Sequence, residues 1–128
     1  MEIQKHDPEE AKRVTETLDL LGYLQLRYGH LDVAGDYFAL LVEMHPRESR
    51  YLRALAMCKH GLGEYEEALK LARSSLTYAK TDEQRKACFL ILICILRALG
   101  QDGEAEVIAQ QYLVIRRKEI KQHAEHAH

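Results

Sequence analysis

Three six-residue stretches constrain this chain more than anything else in it. Gly29-His30-Leu31-Asp32-Val33-Ala34 recurs as Gly63-Glu64-Tyr65-Glu66-Glu67-Ala68, 34 residues on, and as Gly100-Gln101-Asp102-Gly103-Glu104-Ala105 after a further 37. In each, a glycine can turn the chain at the end of one helix, and acids follow at the start of the next, where the helix dipole favours them. A small alanine then lets the two helices approach closely. A period of this length marks a chain built from repeated helical hairpins, each too small to bury its apolar face alone.

The intervening segments agree. Asp7 can cap, Pro8 suits a first helical position, Glu10 stands at capping-box spacing, and Ala11, Val14, Leu18, Leu21 and Tyr28 form an apolar stripe, so a helix is predicted over about 8–28. Gly29 ends it. A second stripe, Leu31, Ala34, Phe38, Leu41 and Val42, runs to His45-Pro46, where proline forbids simple continuation. The run Phe89 to Leu96 alternates isoleucines and also fits a buried strand. A capping pair, Thr81 with Gln84, precedes it and Gly100 follows, so it is read as a helix apolar nearly all round, one face of which needs covering. All-α architecture is expected, with turns near Gly29, Pro46, Gly61, Thr81 and Gly100.

A 34-residue helix-turn-helix period resembles the tetratricopeptide repeat (TPR). In that register the first repeat covers about 15–48, with Leu18, Leu21, Gly22, Ala34, Phe38 and Pro46 on the family's packing and turn positions and Gln25 where an aromatic is usual. The second, 49–82, offers Leu52, Leu55, Ala56, Gly63, Tyr65 and Ala68, but Ala72 stands for the large residue of its second helix and Lys80 for the closing proline. The third, 86–119, has Phe89, Leu92, Gly100, Ala105 and Ala109, and the three extra residues before it, within Tyr78 to Gln84, are read as a loop insertion. The resemblance implies three TPR-like repeats forming a short right-handed solenoid; 128 residues are expected to make one domain, 1–128, whose terminal tail, 122–128, is expected to fray.

Composition excludes several classes. The 18 Lys+Arg against 20 Asp+Glu leave a net charge of −2, so neither nucleic acid nor an anionic membrane is an expected partner. The longest apolar run, Ala87 to Leu96, is about half of the roughly 20 residues that a spanning helix needs, so membrane insertion is not expected. The first seven residues carry acids and no apolar core of a signal peptide, and the three cysteines have no regular spacing. A reducing, cytoplasmic setting is expected.

Chemistry is thinly represented. Gly61-Leu62-Gly63 lacks the third glycine and the Lys-Ser/Thr of a phosphate-binding loop. His123, His126 and His128 have helical spacing without a metalloprotease order, and Cys58, Cys88 and Cys94 lack zinc-site spacing and are expected as buried thiols. Ser49, Ser74 and Ser75 show no partner base. No enzyme activity, cofactor or metal is expected. The cluster Arg116, Arg117, Lys118 and Lys121 is read as cations complementing a helix C-terminus.

What remains is a surface. In TPR folds the first helix of each repeat lines a concave groove. The register turns inward Glu16, Asp19, Tyr23, Leu26 and Arg27, then Arg50, Arg53, Met57 and His60, then Leu90, Cys94 and Arg97. Tyr23, Leu26, Met57 and Leu90 would make an apolar floor rimmed by arginines, a composition of protein-binding surfaces. The alternative is that so short an array curls and buries them in its own core.

The stretch Leu21-Gly22-Tyr23-Leu24-Gln25-Leu26-Arg27-Tyr28-Gly29-His30 with Ala34, and the ending Gln111-Tyr112-Leu113, resemble the small TPR chaperones of bacterial type III secretion, nearest to the YscY-like kind. The resemblance implies a bacterial cytoplasmic chaperone that binds a small export substrate through the groove and docks at the export gate. Such a chaperone is expected to self-associate without its partner. A generic TPR adaptor joining cytosolic proteins is the alternative.

Overall fold

The computed structural model describes residues 7–126; the segment 1–6 and the last two residues, with His128 of the histidine series, lie outside it. Six helices follow one another: α1 (Pro8–Arg27), α2 (Leu31–Met44), α3 (Ser49–Gly61), α4 (Tyr65–Thr77), α5 (Asp82–Ala98) and α6 (Asp102–His126). No strand occurs among the described residues, and Phe89 to Leu96 is helical. Each helix packs on its chain neighbours, and α3 also packs directly on α5. This is a TPR-like solenoid of three hairpins.

The recurring glycine is the stop signal of each hairpin. Gly29, Gly63 and Gly100 have φ of 78°, 80° and 75°. Behind each, paired backbone bonds close the helix: His30 N–H to Gln25 O at 2.9 Å and Gly29 N–H to Leu26 O at 3.1 Å, repeated as Glu64 to Lys59 with Gly63 to His60, and as Gln101 to Leu96 with Gly100 to Arg97. These Schellman closures satisfy carbonyls that the helix end would otherwise leave open. The turn expected near Gly61 therefore lies at Leu62-Gly63, and Gly61 is the last residue of α3.

The starts follow side-chain chemistry. Asp7 Oδ1 accepts from Glu9 N–H at 3.2 Å, with Pro8 at the first position. At α5, Thr81 Oγ1 accepts from Gln84 N–H at 3.1 Å and Gln84 Oε1 accepts from Lys80 N–H at 2.7 Å, so the cap is reciprocal.

The three extra residues are not a loop insertion. The α2–α3 and α4–α5 connections, 45–48 and 78–81, have equal length, and the surplus is helical: α5 has 17 residues where α3 has 13. The Thr81 cap and first-turn pairs Arg85–Asp82 at 2.8 Å and Lys86–Glu83 at 2.9 Å extend the helix by about a turn. Residues 122–126 continue α6 to His126.

Two apolar clusters carry the array. Ala34, Phe38, Leu41, Tyr51, Ala54, Leu55 and Cys58 fill the junction of the first two repeats. Ala56, Ala68, Leu69, Ala72, Leu92, Ile95, Leu96 and Ala105 fill that of the last two, where large residues of α5 share a cluster with Ala72. Ser49 and Ser75 are buried between them. Ser49 Oγ donates to Ser75 O at 2.7 Å, and Ser75 Oγ donates to Ala72 O at 2.6 Å and lies 3.2 Å from Cys88 Sγ.

In the first hairpin α1 crosses α2 at Gly22, where a Cβ would sit 3.0–3.2 Å from the ring of the fully buried Phe38. Gly22→Ala should therefore lose about 1 kcal/mol, overpacking outweighing the gain in helix propensity. Gly103→Ala, whose Cβ meets nothing within 4 Å, should lose none. Urea melts of the two variants provide the check, and a Gly22→Ala protein at least as stable as its parent would refute the packing.

Candidate functional site: the first-helix groove

The direct α3–α5 contact has no counterpart of similar extent between α1 and α3 or among α2, α4 and α6, so the array is drawn together where its last two first helices meet. Tyr23, Met57 and Cys94 occupy the same register position of α1, α3 and α5, with Asp19, Arg53 and Leu90 one turn earlier. Tyr23 is 45% exposed, Met57 42% and Leu90 50%, although α3 and α5 bury much of their other sides. Cys94, Arg27 and Arg97 are exposed as well.

Leu26 departs from the expected floor. It packs against the cluster of Ala34, Phe38 and Leu41, so at this position the array uses the residue for its own core. Tyr23 is held differently. Its ring meets Phe38 edge-on, centroids 5.9 Å apart, and its open side carries Arg50, whose guanidinium carbon lies 5.2 Å from the Tyr23 centroid and 5.8 Å from that of Tyr51. Arg50 also bridges helices, with Nη2 2.9 Å from Asp19 Oδ2. Burial works against its charge, but Tyr23 and Asp19 outweigh it and the guanidinium pKa lies above its ordinary value. Arg50 is thus a clamp between α1 and α3.

Arg53 is left in another state. It is half-buried, and its Nη1 is shielded from solvent without a hydrogen-bond partner among the described residues. A buried donor of this kind costs free energy until an acceptor reaches it. His60 is half-buried, its ring 5.5 Å from that of Tyr65, and Arg97 also borders a cleft of about 340 Å³ between α5 and α6. The groove therefore offers half-exposed apolar side chains, one unpartnered buried donor and exposed arginines at its rim.

Of the thiols, Cys58 and Cys88 are buried as expected, whereas Cys94 is exposed because it faces the groove. Burial pushes the Cys58 thiol up, with Lys59 opposing. Ser49 and Ser75 donate to carbonyls inside the core. One cleft was not legible in the sequence. About 760 Å³ opens between the start of α1 and the end of α2, walled by Pro8, Ala11, Lys12, Thr15, Glu16, Met44 and His45, with Thr15 Oγ1 2.9 Å from His45 Nε2. It depends on two helix ends diverging, which periodicity does not report.

Fold and groove together define a TPR-like helical-repeat protein. No family model matches the chain, and no curated protein matches it. Among solved structures, it is similar to the globular C-terminal domain of P. aeruginosa LpoP, with TM-score 0.71 and 20% identity over 85% of this chain and 98% of that one. It is also similar to PcrH, solved in complex with the chaperone binding region of PopD, with TM-score 0.54 and 17% identity over 92% of this chain and 99% of that one. At these identities the likeness is one of fold. No helix among the described residues is long and apolar enough to cross a membrane.

The thiol arrangement gives a direct check. A thiol-specific reagent should modify Cys94 alone in the folded protein and all three cysteines after denaturation. Mass mapping that finds Cys58 or Cys88 modified as fast as Cys94 would contradict the burial.

Proposed function

We propose that this chain is a cytoplasmic chaperone that holds an apolar segment of a small secreted protein in the groove of α1, α3 and α5. The observation that carries the reading is the row of half-exposed Tyr23, Met57 and Leu90 beside the shielded, unpartnered Nη1 of Arg53. Apolar side chains on successive first helices give a segment continuous area to bury. Arg53 selects for a carbonyl or carboxylate at its centre. The resemblance of residues 21–34 to YscY-like chaperones supports a type III export substrate as the cargo and the export gate as a further contact. The fold shared with PcrH, a protein solved with a chaperone binding region in place, supports a peptide-holding role.

A second reading has one observation in its favour. The LpoP domain superposes with the higher TM-score of the two neighbours, 0.71 against 0.54, and its fold serves as a domain of a larger protein. On that reading the groove is an adaptor's, joining two proteins outside secretion. Neighbouring genes separate the two, because a chaperone is encoded beside secretion components.

Met57→Glu places a charge at the centre of the contact. It should weaken binding of the partner at least ~30-fold, about 2 kcal/mol, in a quantitative pull-down from native cytosol. Glu66→Lys at the start of α4 should bind as the parent does, since Glu66 is exposed and away from the first helices. Both variants must show parental helicity by circular dichroism. Undiminished binding by Met57→Glu would overturn the groove assignment.

A further inference from the structure

Two outer helix faces carry apolar side chains that the groove does not use. On α2, Val33, Tyr37, Leu40 and Met44 recur at helical spacing along a flank roughly a quarter turn from the buried Ala34, Phe38 and Leu41. Val33, Leu40 and Met44 are each about two-fifths exposed. A parallel row of acids, Asp32, Asp36 and Glu43, runs beside them, and α2 contains no lysine or arginine.

The outer face of α6 has the opposite charge. Leu113, Val114 and Ile120 are between 38% and 61% exposed; Val114, Arg117 and Lys121 lie on the side away from the buried Ala105, with Leu113 and Ile120 on the flank beside them. α6 packs on α5 alone to any extent, so this face ends the array, whereas the α2 row lies on a flank that α1 and α3 leave open. Among the described residues, Asp36, Glu43, Arg117 and Lys121 have no ion-pair partner. At ~1.5 Å per residue the α2 row, Val33 to Met44, runs about 16 Å and the α6 row, Leu113 to Lys121, about 12 Å. One is apolar and acidic, the other apolar and basic, so their charges are complementary.

We infer that the outer face of α2 binds the outer face of α6 of a second copy of this chain. The contact is heterologous, because the two faces are different surfaces of one molecule. Each bound copy therefore still presents one free face of each kind, and the association propagates beyond a dimer. One helix laid on one helix buries less than the ~1,200 Å² of a standard interface, so the association is weak and strengthens at low salt. The inference rests on these two faces and not on the groove.

Sedimentation velocity over a concentration series up to ~0.3 mM reads it out, in the range where weak contacts of this size populate. The parent should form species that grow beyond a dimer at low salt and should associate at least ~10-fold more weakly at ~0.5 M NaCl. The double variants Asp36→Lys/Glu43→Lys and Arg117→Glu/Lys121→Glu should each be monomeric with unchanged helicity, since all four side chains are exposed. Combining the four substitutions recreates the charge match with signs exchanged and should restore association to within ~3-fold of the parent. A monomeric parent over the whole range would overturn the inference. So would a closed dimer indifferent to these substitutions, association lost through only one of the two faces, or a quadruple variant that stays monomeric while folded.

Discussion

The structure depends on one backbone requirement met three times. At Gly29, Gly63 and Gly100 the chain must take φ near +75 to +80°, a region that costs other residues about 1–2 kcal/mol, to close each helix and start its return. Five residues later stands Ala34, Ala68 or Ala105, each at most 4% exposed, small enough for the returning helix to lie close. Stop and close approach together give the hairpin its geometry. Repeating them stacks the first helices in one row, and the groove at Tyr23, Met57 and Cys94 is a consequence of that stacking.

A short array must then manage what stacking leaves over. Its two clusters bury Phe38, Leu41, Leu92, Ile95 and Leu96, the large side chains of α2 and α5. Leu26 packs onto the cluster of the first two repeats, whereas Tyr23, Met57 and Leu90 stay half-exposed. No further repeat covers α6, and α2 keeps a flank that α1 and α3 leave open, so apolar side chains remain on both beside charges of opposite sign. Groove and ends arise from one cause: three hairpins are too few to bury every apolar face they carry.

Much of this was legible in the sequence because the signals were local. The glycine closures, the Asp7 and Thr81 caps and the apolar stripe of α2 each depend on residues within a turn or two, and the helices lie within a few residues of where these signals put them. Failures arose where the outcome depended on distant parts. The surplus before the third repeat reads as loop by repeat counting, but Asp82, Glu83, Arg85 and Lys86 pair along a helix and lengthen α5. Leu26 has an inward register position, and only the packing of Ala34 and Phe38 decides that it joins the core. Cys94 shares the chemistry of Cys58 and Cys88, yet its place on the open stripe of α5 exposes it. Arg53 differs from Arg50 in the sequence by nothing but position, whereas Asp19 and Tyr23 engage one and leave a nitrogen of the other unpartnered.

The central claim is that a partner segment lies along the first helices. A photo-crosslinking amino acid installed at Met57, and separately at Glu66 on the outer side, tests it in the cells that make the protein. The account predicts one small protein adduct from the Met57 position and little or none from Glu66, with the Met57 adduct lost when Leu90 is changed to Glu. An adduct formed equally from both positions, or from Glu66 alone, would contradict it.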